Sequence, residues 1–144
     1  MRVFLDSNVI LSGLISDKGA PRIILDLLSL KLPSITGLTG EYNLIEIERN
    51  LKKKLPSAIP AYKKYLPEIN LEIIKLPSKT EVERYSGRIA DKDVPVLVSA
   101  INGKSDYLIT GDIKDFKKLK TSPEYRFKIV NPAEFISEVI NKIL

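Results

Sequence analysis

Short apolar runs alternate along this chain with segments whose apolar residues recur at every third and fourth position. Arg2 to Leu5 (RVFL) is the first run and reads as a buried strand. Asp6-Ser7-Asn8 are helix-capping residues, and Val9 to Ile15 continue as a short helix. Pro21 suits the first turn of a second helix, whose apolar face is Ile23, Ile24, Leu27, Leu28 and Leu30; Pro33 ends it. A brief strand is expected near Ser34 to Thr36. Thr39 is expected to cap a third helix running to about Lys54, with Leu44, Ile47, Leu51 and Leu55 as its buried stripe. Beyond it the pattern predicts a short helix within Ser57 to Leu66, a strand over Ile69 to Leu76, and a helix capped by Thr80 and reaching Ala90.

The stretch from Asp91 to Asp115 (DKDVPVLVSAINGKSDYLITGDIKD) is the most distinctive. Asp93 is placed as an N-cap, Pro95 fits the first turn, and Gly103 fits the residue just past the helix end. Val94, Val96, Leu97, Val98, Ala100 and Ile101 leave little polar face, so this helix should be buried. Tyr107 to Thr110 reads as a strand broken by Gly111-Asp112. Arg126 to Val130 is a last strand. Asn131 caps a final helix started by Pro132, with Phe135, Ile136, Val139, Ile140 and Ile143 on its apolar face. Strands alternating with helices argue for a three-layer α/β/α fold with a mainly parallel sheet, expected as one domain over residues 1–144.

Composition narrows the chemistry. The chain has no Cys and no His. Disulfides, thiolate nucleophiles, Ser-His-Asp triads and imidazole metal ligands are therefore excluded. Any catalysis must use carboxylates, Lys, Arg, Tyr or a hard metal ion. The apolar start is interrupted by Asp6, Ser7, Asn8, Ser12 and Gly13, unlike a signal peptide, and no apolar stretch is long enough to span a bilayer. The expectation is a cytoplasmic protein without membrane association.

Acids stand at every exit of the distinctive stretch. Asp91 and Asp93 precede its helix, Asp112 follows its strand, and Asp115 lies just beyond. Asp6 likewise follows the first strand, although a helix cap explains it as well as a site does. Parallel strands end on one sheet edge, where ligand sites gather. Asp6, Asp93 and Asp112 can therefore converge. Carboxylates about 5 Å apart repel by roughly 3 kcal/mol per pair at an effective dielectric near 20, so protons or a divalent cation must relieve them. An acid set without His or Cys suits Mg²⁺ or Mn²⁺. The net charge is +5, from 23 Lys plus Arg and 18 Asp plus Glu. Setting aside Asp6, Glu46, Asp91, Asp93, Asp112 and Asp115 leaves 12 acids against those 23 cations, about +11. An acidic pocket in a basic protein is what metal-dependent cleavage of RNA or DNA needs. Lys52-Lys53-Lys54 with Lys63, Lys64, Tyr62 and Tyr65 is either a phosphate-binding flank or a solvated helical hairpin.

LDSNVILSGL at Leu5 to Leu14, EIERNL at Glu46 to Leu51, DKDVPVLVSAINGKSDYLITGD at Asp91 to Asp112 and Asp115-Phe116 together resemble a PIN domain, more narrowly the single-domain VapC-like toxins. The resemblance implies a parallel five-stranded sheet and a Mg²⁺- or Mn²⁺-dependent endoribonuclease. It implies that Asp6, Glu46, Asp93 and Asp112 are the catalytic and metal-binding acids, with Glu46 either ligating the ion or acting as general base. Ser7, Asn8, Thr110 and the auxiliary Asp115 would support them, and Asp91 is the weaker match. It also implies an RNA substrate, a small antitoxin partner and a homodimer. Pro56 to Ser78 carries no family motif. Two other readings stand against this one. The first is a non-catalytic PIN-like domain that binds RNA or protein. The second is a phosphate-accepting receiver domain, opposed by Asp6-Ser7-Asn8 after the first strand and Val130-Asn131-Pro132 after the last.

Overall fold

The computed structural model describes residues 1–143, the side chain of Ile143 excepted. The chain runs β1 (Arg2–Leu5), α1 (Ser7–Ile15), α2 (Ala20–Ser29), β2 (Thr36–Gly40), α3 (Glu41–Lys54), α4 (Ile59–Tyr65), β3 (Glu72–Ile74), α5 (Lys79–Arg84), α6 (Val94–Asn102), β4 (Tyr107–Ile109), α7 (Ile113–Phe116), β5 (Lys128–Val130) and α8 (Pro132–Ile143). The five strands form one sheet in the order β3-β2-β1-β4-β5, and every pairing is parallel. Phe4 sits at the centre, in register with Leu38 on one side and Leu108 on the other.

Side chains alternate across the sheet, as a strand's two-residue period requires. Val3, Leu5, Ile109 and Val130 point to one face, where Ile10, Leu25, Ile47, Tyr62 and Phe135 cover them. Phe4, Leu38, Leu108 and Ile129 point to the other, beneath Leu97, Ala100, Phe116 and Phe127. The α/β/α layering and the five-stranded parallel sheet are thus as expected. Among the described residues no helix is long and apolar enough to cross a membrane.

Several boundaries differ from the sequence pattern. The second strand is Thr36–Gly40, not Ser34 to Thr36. Thr39 is no helix cap: it is fully buried within β2 and its hydroxyl donates to the Leu5 carbonyl at 2.8 Å. Helix α3 instead starts after Gly40, whose N–H donates to Asn43 Oδ1 at 3.2 Å. Leu55 is 47% exposed because the chain leaves the helix there. Strand β3 covers only Glu72–Ile74. Ser78 rather than Thr80 caps α5, exchanging hydrogen bonds with Glu81, and the helix ends at Arg84. Asp93 makes no side-chain capping bond; a 3-10 turn over Asp91–Asp93 leads into α6. The left-handed residue after α6 is Lys104 (φ 52°), not Gly103 (φ −77°). Asn131 caps α8 as expected, with Glu134 as its reciprocal partner.

Topology places the site. From β1 the chain moves outward through β2 and β3, then crosses back to β4 on the other side of β1. The connections leaving β1 and β4 therefore diverge, and a crevice opens between the carboxyl ends of these two strands.

Candidate active site at the divergence of β1 and β4

Asp6 leaves β1 into this crevice with only 6% of its surface exposed. Its backbone N–H extends the sheet by donating to the Ile109 carbonyl at 2.9 Å. Donors surround the carboxylate. Ser7 N (2.8 Å) and Asn43 Nδ2 (3.2 Å) donate to Oδ1, while Thr110 Oγ1 (2.8 Å) and Asn8 Nδ2 (3.4 Å) donate to Oδ2. Burial nevertheless pushes its pKa from 3.8 up to about 6. The Thr110 and Ser7 hydrogen bonds oppose the rise, and the charges of Glu46 and Asp93 add to it.

Asp112 is joined to Asp6 through two shared partners. Asn8 Nδ2 donates to Asp112 Oδ2 at 2.9 Å as well as to Asp6, and Asn8 Oδ1 accepts from Gly111 N at 2.8 Å. Thr110 Oγ1 donates to Asp6 and accepts from Asp112 N at 3.0 Å. The turn after β4 is thereby held against the end of β1.

A cleft of about 190 Å³ is lined by Asp6, Ser7, Asn8, Leu11, Glu46, Asn50, Lys92, Asp93, Val96 and Asp112. Glu46 reaches it from α3, and Asp93 from the turn before α6. Asp93 is partly buried, and its pKa is raised by desolvation first and then by the charges of Asp115, Asp112 and Glu46, with Lys92 opposing. Its Oδ2 is buried without a hydrogen-bond partner. Asp115 does not line the cleft; its Oδ2 lies 3.5 Å from Lys92 Nζ. Asp91 is exposed and also stands outside the lining.

Three contributors escaped the reading of the sequence. Asn43 is fully buried and donates from one Nδ2 to both Asp6 and Ser7 Oγ (2.9 Å). Asn50 and Lys92 line the cleft. The first two had a signal: Asn43, Glu46 and Asn50 recur at the three- and four-residue spacing of one helix face.

Comparison with known proteins fits this geometry. The PIN domain profile matches residues 2–114. The chain belongs to the PIN domain family. Two solved structures resemble it across most of its length. The structure of VapBC2 from Rickettsia felis bound to a DNA fragment from their promoter superposes with a TM-score of 0.63, at 21% identity, covering 91% of this chain and 98% of that one. The structure of VapBC-1 from nontypeable Haemophilus influenzae gives 0.64, at 16% identity, covering 92% and 99%. A curated DNA ligase from Pelagibacter ubique is 36% identical over 70 residues, 49% of this chain but 9% of the ligase. The chain thus matches only a small part of that relative. PIN domains are nucleases, so the general reaction class is hydrolysis of nucleic acid.

The acids present an all-oxygen donor set, which suits a hard divalent cation, and the unpartnered Asp93 Oδ2 is an acceptor in search of a donor or ion. Among the described residues, no three carboxylates are gathered tightly enough to hold an ion unaided. That is compatible with Mg²⁺, which commonly takes one or two carboxylates and fills its remaining positions with water and phosphate oxygens.

Proposed function

We propose that this chain is a Mg²⁺- or Mn²⁺-dependent endoribonuclease. The observation that supports it best is the coupled pair Asp6 and Asp112, tied through Asn8 and Thr110, in a cleft shared with Glu46 and Asp93. Asp6, Asp93, Asp112 and Glu46 would hold the cation, one or two of them directly and the others through its water ligands. When bound, the ion supplies Lewis-acid polarisation of the phosphate and a more acidic water. The protein's own groups do the rest. Asn8 and Thr110 keep the two aspartates aligned. Glu46, across the cleft on α3, orients the attacking water and takes its proton. Asp115 contributes from outside through Lys92. Exposed Lys114, Lys117 and Lys118, which follow Asp112 and have no ion pair among the described residues, attract the RNA backbone.

The biological role in this reading is the toxin of a toxin–antitoxin pair, acting in the cytoplasm as a homodimer and held inactive by an antitoxin. Its support is the fold shared with two VapBC structures. Co-expression with the product of the adjoining open reading frame tests it: rescue of growth and co-purification are expected.

The deciding chemical experiment incubates the purified protein with defined single-stranded RNAs and matched DNAs in Mg²⁺, Mn²⁺ or EDTA. Cleavage of RNA that EDTA stops and Asp112→Asn abolishes is expected. A second reading, a non-catalytic PIN-like domain that binds RNA or protein, draws on the lack of a preformed three-carboxylate group among the described residues. Retention of RNA without cleavage in either metal selects it.

A further inference from the structure

Lys92 is the one cation among the described residues that line the acidic cleft. It sits in the 3-10 turn Asp91–Asp93, beside one of the acids. The turn is tied to α3, since Tyr42 Oη donates to the Lys92 carbonyl at 3.3 Å. The side chain is 69% exposed, and its Nζ rests 3.5 Å from Asp115 Oδ2. That separation is longer than the roughly 2.7–2.9 Å of a charge-assisted hydrogen bond. The lysine is exposed and the aspartate only partly buried, so little is lost when the pair opens.

An ammonium fixed by its backbone at the mouth of an anionic cleft, with its tip on a loose partner outside that cleft, can exchange one anion for another. Lys is suited to phosphate as a compact point charge. Its charge also offsets those of Asp93 and Asp112, but its one ion pair among the described residues is with Asp115, which does not line the cleft, so the ammonium is not locked onto the cleft acids. We propose that Lys92 is a substrate-binding residue, which leaves Asp115 to take a non-bridging oxygen of the RNA phosphate entering the cleft. Asp115 is then the resting counter-ion that keeps the lysine extended between substrates. This assignment rests on the reading of the cleft as an RNA site.

The test compares wild type with Lys92→Gln, Lys92→Arg and, as a comparator, Lys31→Gln in the turn between α2 and β2. Steady-state cleavage of a defined RNA is measured across a salt series, alongside anisotropy of a labelled single-stranded RNA in EDTA at low salt. Lys92→Gln should raise KM about tenfold, the scale of one charge-assisted hydrogen bond, with kcat within about threefold of wild type. Lys92→Arg should recover most of the loss, which a purely structural role does not require. The salt slope should fall by about 0.7. If wild type cleaves and Lys92→Gln matches Lys31→Gln in KM, the proposal is overturned. If wild type cleaves nothing, the nuclease reading fails and RNA affinity decides. A loss specific to Lys92→Gln upholds the phosphate contact; equal affinities, or no RNA binding by wild type, overturn it.

Discussion

Asp6→Asn should make the metal-free protein more stable at neutral pH while removing its chemistry. The Asp6 carboxyl titrates near 6 in the folded chain against 3.8 ordinarily, because burial disfavours its charge. The folded chain therefore holds the proton more tightly than the unfolded one. Stability is unaffected below about pH 4, declines as pH rises through about 4 to 6, and is lower by about 3 kcal/mol above that window. An asparagine carries no charge and escapes the decline. It does not escape all cost, since every neighbour donates to Asp6. An amide nitrogen at the Oδ2 position needs an acceptor there. The Thr110 hydroxyl must turn to accept, and the 3.4 Å contact with Asn8 Nδ2 is lost. That rearrangement costs about 1 kcal/mol. The net expectation is a gain of about 2 kcal/mol at about pH 7.5, or about 4–8 °C in Tm for a chain of this size. Urea or thermal unfolding of both proteins in EDTA, from about pH 4 to 7.5, measures it. The gain should shrink as pH falls and give way, towards pH 4, to the cost of about 1 kcal/mol of the rearranged hydrogen bonds, and Mg²⁺ should narrow it by stabilising only wild type. A destabilised Asp6→Asn at pH 7.5, or a difference that ignores pH, would refute the reasoning.

Asn43→Ala should cost about 2–3 kcal/mol in urea unfolding, because Gly40 N–H loses its partner and Asp6 and Ser7 lose a shared donor; cleavage should fall with it. Gly37→Ala should cost about 1–3 kcal/mol, since a methyl there would stand 2.6 Å from Leu28 Cδ1 and 3.0 Å from Leu71 Cδ2. A Tm equal to wild type would show that both leucines yield freely. Asn131→Ala should cost about 1 kcal/mol by removing the α8 cap, again read from the unfolding midpoint, with no change in RNA cleavage.

How legible each feature was follows from how local its cause is. The strand at Arg2–Leu5 and the buried helix α6 are written in uninterrupted apolar runs, and the cap of α8 in Asn131-Pro132 with Glu134. Carboxylates at the exit of β4 and ahead of α6 stand out because nothing in a core calls for charge there, whereas Asp6 at the exit of β1 read equally well as a helix cap until the fold set it beside Asp112. Strand β2 was misplaced because two of the five residues of TGLTG are glycines, which strands disfavour, and Leu38 is its one large apolar side chain. Its glycines answer to neighbours far along the chain. A Cβ at Gly37 would meet Leu28 and Leu71, and one at Gly40 would meet Asn43 and Ser99. Thr39 looked like a cap until the Leu5 carbonyl was set beside it.

The sequence by itself determined which chemistry is available, an oxygen-only acid set without His or Cys, and on which connections it sits. Only the tertiary structure decided how that set is wired. Asn8 joins Asp6 to Asp112, Asn43 braces Asp6 from α3, Lys92 lines the cleft, and Asp115 holds Lys92 from outside it. These pairings depend on which strands lie next to β1. The crossover to β4 sets that adjacency, and it brings Asp6 and Asp112 together from opposite ends of the chain.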